Sequence, residues 1–407
     1  MGQQRDTLVP RLRTAVALLA AAGLLFIASW TLIPAPTYSL LTFSVGAPEV
    51  CGWLLVIAIV TAATAAADWR RYRAARAAFV FAMVAFVLEG LPLARFPLVA
   101  RRFAQSVSGT LGDDGLRGVP NGVLARMRPA PLVLTDLLRG IPASEARVAR
   151  GIVFAEAGGA RLTLDVYRPM RGTLSPIVVQ IYGGAWQRGA PGNYADFARH
   201  LAGLGYVVFA IDYRHAPRWH WPAQLDDVRT ALAFVRAHAA EYGGDSSRLA
   251  LIGRSAGAHL ALLAAYDPTA PPVRAVVSYY GPVDLTDAYR HPPSPDPLHV
   301  RETETAFIGG TPDDMPAQYR AASPITYVSG ALPPTLLIYG SRDHIVEPRY
   351  GRLLDERLRA AGATSMMLEI PWADHAFDAV PNGPSAQLAM YHVERFLDWA
   401  LYGQKDG

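Results

Sequence analysis

Uninterrupted apolar stretches dominate the first hundred positions, and short β-branched runs alternating with amphipathic segments take over beyond Arg150. Residues 14–33 carry no charge, and at 1.5 Å per helical residue they suffice for a hydrocarbon core of about 30 Å. Residues 50–67 are also uncharged, and 77–94 are interrupted only by Glu89. The pattern predicts a bundle of about three transmembrane helices over 14–33, 50–67 and 77–94, forming a membrane domain at 1–102. A cleavable secretory signal competes for the first stretch, because Arg5, Arg11 and Arg13 precede it. Its apolar run exceeds the roughly 7–15 residues of a signal core, and two similar stretches follow. Glu89, Pro92 and Pro97 leave an interfacial helix open for the third. Gly112, Gly118, Pro120, Pro129, Pro131 and Pro142 then punctuate residues 103–146, which read as a connecting region with short helices.

From 147 to 407 the pattern is that of an α/β fold with a mostly parallel sheet flanked by helices. Strands are expected at 151–155, 163–167, 177–182, 207–212, 249–253, 275–279, 335–339 and 365–370, the first two antiparallel. Helices with apolar residues three and four apart are expected at 194–204, 222–242, 256–265, 349–361 and 384–399. Helical crossovers of this kind join parallel strands. Residues 282–332 break the rhythm with Pro, Asp and aromatics and suit an insertion over an active-site mouth.

Composition narrows the function classes. Hydrophobic residues reach 51% and charged residues only 18%, below the roughly 25% of soluble proteins, so part of this chain belongs in lipid. The lone Cys51 excludes a disulfide scaffold and a cysteine-based metal centre. A net charge of +4, without basic blocks interleaved with aromatics, gives no basis for a nucleic-acid partner; Lys405 is the sole lysine.

The sharpest chemical signal is Gly253, Arg254, Ser255, Ala256, Gly257, set between a predicted strand and a predicted helix. A serine on such a turn projects its oxygen from the sheet edge, the glycines permit the tight backbone, and the following helix aims its first NH groups at developing negative charge. A serine nucleophile needs a base, and the base needs a carboxylate to orient it. Asp343 follows the strand at 335–339 and His375 follows the strand at 365–370, so both fall in strand-end loops where catalytic groups gather. Their order is Ser, Asp, His. Rivals are less well placed: His344 adjoins Asp343, Asp374 adjoins His375, His392 lies in the terminal helix, and His259 sits one turn into the helix after Ser255. The turn Gly183, Gly184, Ala185 after the strand at 177–182 offers backbone NH groups to an oxyanion, with Ala256 as the other donor.

Residues from about Arg147 to Tyr402 resemble the α/β-hydrolase superfamily, nearest to the hormone-sensitive-lipase-like carboxylesterases and arylformamidases. Tyr182, Gly183, Gly184, Ala185, Trp186 is similar to that branch's His-Gly-Gly-x-Trp motif, with Tyr182 where the histidine stands. Asp212 to Pro217, Gln224 to Asp227, Gly340 to Asp343 and His375 to Phe377 resemble its further motifs. An amino-terminal anchor on such a domain is similar to actinobacterial membrane-attached esterases. The resemblance implies ester hydrolysis through an acyl-enzyme, and Tyr182 bears on loop geometry and substrate preference rather than reaction class.

The expectation is therefore a membrane-anchored serine carboxylester hydrolase acting on a small or medium acyl ester or a lipid, with no metal or organic cofactor. Tyr182, Trp186 and Trp219 are candidates for the substrate pocket, alongside Trp221 and the 282–332 insertion. Amide or formamide hydrolysis by the same groups is the nearest alternative, and a catalytically silent binding module the alternative from another class. Arginines before the first stretch and at 70, 71, 73 and 76 place those ends in the cytoplasm and the catalytic domain outside the cell membrane. Arg95, Arg101 and Arg102 pull the other way and keep open a cytoplasmic domain held by two spans.

Overall fold

In the computed structural model, residues 2–403 are described apart from 113–115, 117 and 173, with side chains from Leu8 onward; Arg5 and Lys405 lie outside the described side chains. Eight strands build one sheet: β1 Arg147–Ala157, β2 Ala160–Arg168, β3 Ser175–Ile181, β4 Val207–Ile211, β5 Gly244–Arg254, β6 Ala275–Tyr279, β7 Thr335–Gly340 and β8 Ser365–Ile370. Their order is β1-β2-β4-β3-β5-β6-β7-β8. β2 runs antiparallel to β1 and β4, and the remaining pairs are parallel. The inner strands are nearly all apolar because helices cover both faces, and every residue of β4 and β6 is buried. β1 is longer than the sequence pattern allows for, since its positions alternate between half-buried and exposed and show no apolar run.

Register sets where the chemistry falls. Ile181 of β3 lies beside Gly253 of β5, Arg254 beside Tyr279 of β6, and Gly340 of β7 beside Ile370 of β8. The loops after β3, β5, β7 and β8 therefore leave the same edge of the sheet. The 282–332 segment carries three short helices, Leu285–Arg290, Val300–Ile308 and Pro316–Ala321, near that edge.

The amino-terminal part departs from three equal spans. It forms α1 Gly2–Ser29, α2 Leu41–Glu49, α3 Cys51–Ala66 and α4 Arg73–Leu111. Two helices, Leu8–Ser29 and Arg73–Leu111, are long and apolar enough to cross a membrane; the segment Tyr38–Glu49 with Cys51–Ala66 passes only as a pair bent by 79°. The expected span at 50–67 is short because α3 has 16 residues, about 24 Å, less than a hydrocarbon core. The stretch expected at 77–94 instead runs on to Leu111 through Pro92 and Pro97. Each proline removes one NH donor, and packing around and beyond them holds the helix together: Phe96, Val99 and Phe103 are buried in the core of the sheet domain. Phe96 meets Trp372 at 6.0 Å and Phe103 meets His392 at 5.8 Å. The boundary expected at 102 thus falls inside a continuous helix.

Small residues form the seam between the long helices. Ala17, Ala21, Ala62, Ala65, Ala78 and Ala82 make one buried cluster, the close backbone approach favoured between helices in lipid. Among the described residues, the exposed large hydrophobic side chains lie between Leu8 and Leu98, apart from Leu134, Leu138, Met170 and Leu174. Further bonds join this part to the sheet domain. Glu49 Oε2 accepts from Ser385 N at 3.0 Å, at the start of helix Pro384–Asp398. The connecting region is ordered on that same helix, where Arg128 N donates to Glu394 Oε2 at 2.7 Å and Val133 N to Gln387 Oε1 at 2.8 Å.

Candidate active site

β5 ends at Arg254 and helix Ala256–Tyr266 begins one residue later, so Ser255 alone makes the turn, at φ 51° and ψ −122°. Such a backbone is costly for a non-glycine residue and persists only where surroundings over-determine it. Ser255 N donates to Tyr279 O at 2.9 Å, pinning the turn to β6. Gly257 lets the helix press onto β3: a Cβ there would lie 2.3 Å from the carbonyl oxygens of Ile181 and Tyr182.

Three expected side chains come together at this edge. His375 Nε2 lies 3.1 Å from Ser255 Oγ, and His375 Nδ1 lies 2.8 Å from Asp343 Oδ2. Asp343 Oδ1 accepts from Ile345 N at 2.9 Å and Val346 N at 2.8 Å, which fixes the carboxylate so that its second oxygen faces the imidazole. With Nδ1–H donating a hydrogen bond to Asp343, Nε2 is an acceptor for the serine proton. The rival histidines are engaged elsewhere. His344 pairs with Asp374 at 3.1 Å and donates from Nε2 to Ala35 O at 3.1 Å. His259 accepts from Trp186 Nε1 at 3.2 Å and donates from Nε2 to Ala322 O at 2.6 Å; burial pulls its pKa down to about 4, so it is a neutral packing group.

Facing Ser255 is the turn after β3. Gly184 sits at φ +141°, and a Cβ there would lie 2.0 Å from Arg188 O, so only glycine fits. Among the described residues, the NH groups of Gly184, Ala185 and Ala256 meet no protein acceptor. Gly183 packs beneath, where a Cβ would lie 3.0 Å from Ser255 Cβ.

Two pocket candidates belong elsewhere. Tyr182 is 2% exposed; its hydroxyl donates to Asp212, lies 2.8 Å from His215 Nε2, and its ring stacks on Tyr213 at 4.5 Å. It supports the Gly183–Gly184 turn from below, and burial raises its phenol pKa, raises that of Asp212 and lowers that of His215. Trp219 donates from Nε1 to Gly158 O at 3.3 Å, which commits it to the turn between β1 and β2, away from Ser255. Trp186 stays near the serine, bordering a small recess while stacked on Phe307 at 4.2 Å.

Sequence reading passed over three features. Arg254 and Asp378 form a buried ion pair beside the serine and the histidine, adjacency to those residues being the only signal. Glu304, 3% exposed, lines the recess at Ser255, and burial holds its carboxyl well above the usual range. A cavity of about 730 Å³ joins Ser255, His375 and Gly184 to residues of α1 and α2, a partnership no spacing announces. A second cavity, of about 670 Å³, flanks Arg254 and Asp378 and shares Tyr194 with the first, without Ser255 in its wall.

A mixed eight-stranded sheet whose serine sits on a strand-to-helix turn defines an α/β-hydrolase. Comparison with known proteins agrees. The BD-FAE family profile matches residues 164–358. The probable carboxylic ester hydrolase LipM of Mycobacterium tuberculosis is 35% identical over 70% of this chain and 67% of its own length. Esterase LipQ of the same organism is 36% identical over 61% of this chain and 62% of its own. The chain thus spans about two thirds of these curated relatives, or somewhat less. An esterase structure from Pyrobaculum calidifontis aligns with a TM-score of 0.55 at 25% identity, covering 63% of this chain and 85% of that one. The chain belongs to the α/β-hydrolase carboxylesterases of the hormone-sensitive-lipase-like type, enzymes that hydrolyse carboxylic esters.

Proposed function

We propose that this chain is a membrane-anchored serine carboxylester hydrolase with its catalytic domain outside the cell membrane. Ser255 Oγ attacks the ester carbonyl while His375 Nε2 takes its proton, and Asp343 holds the imidazole and balances the charge it gains. The NH groups of Gly184, Ala185 and Ala256 receive the oxyanion. Collapse expels the alcohol, protonated by His375, and water then repeats the sequence on the acyl-enzyme. The carrying observation is the chain of contacts from Ser255 through His375 to Asp343, at 3.1 and 2.8 Å. That chain also weighs against a silent binding module, and the relatives' names favour esters over amides. Labelling of the full chain by a fluorophosphonate, lost in Ser255→Ala together with p-nitrophenyl ester hydrolysis, is the test. A folded Ser255→Ala protein that keeps more than about 1% of the rate would refute the nucleophile, since loss of a triad member costs on the order of 10⁴.

A further inference from the structure

From Ser255 there are two places for the arms of an ester, and they differ greatly in size. The recess beside Trp186 and Glu304, under the 282–332 insertion, has about 40 Å³, little more than the roughly 30 Å³ share of a liquid water. The other is the cavity of about 730 Å³, well inside the roughly 300–1,000 Å³ of small-molecule sites. The hydrolase fold supplies only one side of it, from Gly183, Ser255, Tyr280 and His375. The opposite wall is Ile27 of α1 and the segment from Tyr38 through α2 to Val50, including Leu41, Val45, Gly46 and Ala47.

That wall is apolar and carries no Lys or Arg. An aromatic group stands at the end of α1: Phe43, which also lines the cavity, lies 5.6 Å from Phe26 and 6.1 Å from Trp30, with Phe26 and Phe43 exposed. Across the mouth, Arg188 of the hydrolase fold lies over the Tyr38 ring at 4.6 Å. Exposed aromatics with a cation at the end of an apolar helix suit the boundary between lipid headgroups and chains. A route from that boundary to Ser255 therefore runs over mainly apolar surface, with Thr42 and Arg188 among its polar members.

Resting on the esterase reading, we infer that the Tyr38 to Val50 segment is the chain-binding wall of the active site, and that the substrate is an ester with a long apolar chain supplied by the bilayer. The anchor is then half of the substrate site as well as a tether. Gly46 provides the probe, because it lines the cavity and a Cβ built there meets nothing within 4 Å.

The experiment uses the full chain in detergent with p-nitrophenyl acetate and p-nitrophenyl decanoate. In Gly46→Phe, or in Val45→Trp should the first variant not fold, the ratio of kcat/KM for decanoate over acetate should fall by about tenfold or more, the effect of denying a pocket to a methylene or larger group. A ratio equal to that of the wild type in a variant that still takes the fluorophosphonate overturns the inference. Reconstituted wild type should also hydrolyse 4-methylumbelliferyl oleate carried in phosphatidylcholine vesicles; turnover of soluble acetate alone would overturn the bilayer source. A wild type that hydrolyses no ester and takes no fluorophosphonate overturns the esterase reading itself, a result distinct from either of these.

Discussion

Arg254 Nε meets Asp378 Oδ2 at 2.5 Å, tying the residue before the serine to the loop that carries the histidine. Both side chains are buried, and the guanidinium is enclosed by the rings of Tyr194, Phe197 and Tyr279 at 4.1, 4.4 and 4.8 Å. The Tyr280 hydroxyl donates to the same carboxylate, and its ring lies 4.5 Å from the His375 ring. Two strand-end loops that must hold an oxygen and a nitrogen within reach of each other thus share one electrostatic fastening.

Removing one member of that pair leaves a buried charge unmatched. Arg254→Met should cost about 3–5 kcal/mol, and Arg254→Met with Asp378→Asn should recover part of it, because a neutral pair strands no charge. Thermal denaturation of the wild type and the two variants checks this. Equal stability of Arg254→Met and wild type would contradict it.

Ser255 and His375 should behave as one unit. Each alanine variant alone should lose on the order of 10⁴ in kcat, and the double variant little more, because a nucleophile without its base and a base without its nucleophile fail alike. Steady-state kinetics with p-nitrophenyl butyrate decide it; multiplicative losses would mean that one residue is misassigned.

Tyr182 stands where the family motif has histidine, and its contacts assign it to loop support. Tyr182→Phe removes one of the donors to Asp212 Oδ1 at a half-buried site, leaving Tyr213 N, and should cost about 1–3 kcal/mol, with a fall in kcat as the Gly184 turn loosens. Tyr182→His should retain more of both, since an imidazole again gives Asp212 a donor. A phenylalanine variant that matches wild type in melting and in kcat would show the hydroxyl to be idle.

His259 gives a pH signature opposite to that of a salt-bridged histidine. Its folded pKa of about 4 lies below the reference value near 6.5, so the unfolded chain takes up the proton first as pH falls. The stability it contributes is whole above about pH 6.5, drains away between there and pH 4, and amounts to roughly 3 kcal/mol. His259→Gln should be less stable at pH 7 yet show a shallower decline over that window. Parallel declines in the two proteins would remove His259 as the cause.

The strands and the serine turn were legible because their signals are local: a β-branched run, a glycine two residues either side of Ser255, an aspartate and a histidine just past later strands. Trp219 misled because an indole near the motif says nothing of which way it faces, and Gly158 of a distant turn takes its NH. Glu89, Pro92 and Pro97 leave an interfacial helix open for the third stretch, whereas Trp372 against Phe96 and His392 against Phe103 carry one helix past both prolines. Arg254 with Asp378, and α2 with the cavity, are relations between segments far apart in the chain, and periodicity carries no record of them.

Topology follows from which ends of the helices meet. Arg13 binds Asp68 at 2.8 Å, so the start of the uncharged stretch of α1 lies beside the residues just past α3, and α4 begins just beyond at Arg73. Arg11, Arg13, Arg70, Arg71, Arg73 and Arg76 thus gather at one end of the bundle, while the stretch 34–49, free of Lys and Arg, lies at the other end against the hydrolase fold. Positive charge near the ends of spans marks the cytoplasmic side, and the proposed orientation, with the hydrolase fold outside, rests on that rule. Arg95, Arg101 and Arg102 oppose this from the hydrolase end of α4, yet that length of helix packs on the sheet domain through Phe96 and Phe103 and extends past the apolar stretch. Protease added to intact spheroplasts expressing the full chain should therefore digest the carboxyl-terminal domain. Protection that ends only when the membrane is opened would reverse the orientation and place the substrate cavity at the inner leaflet.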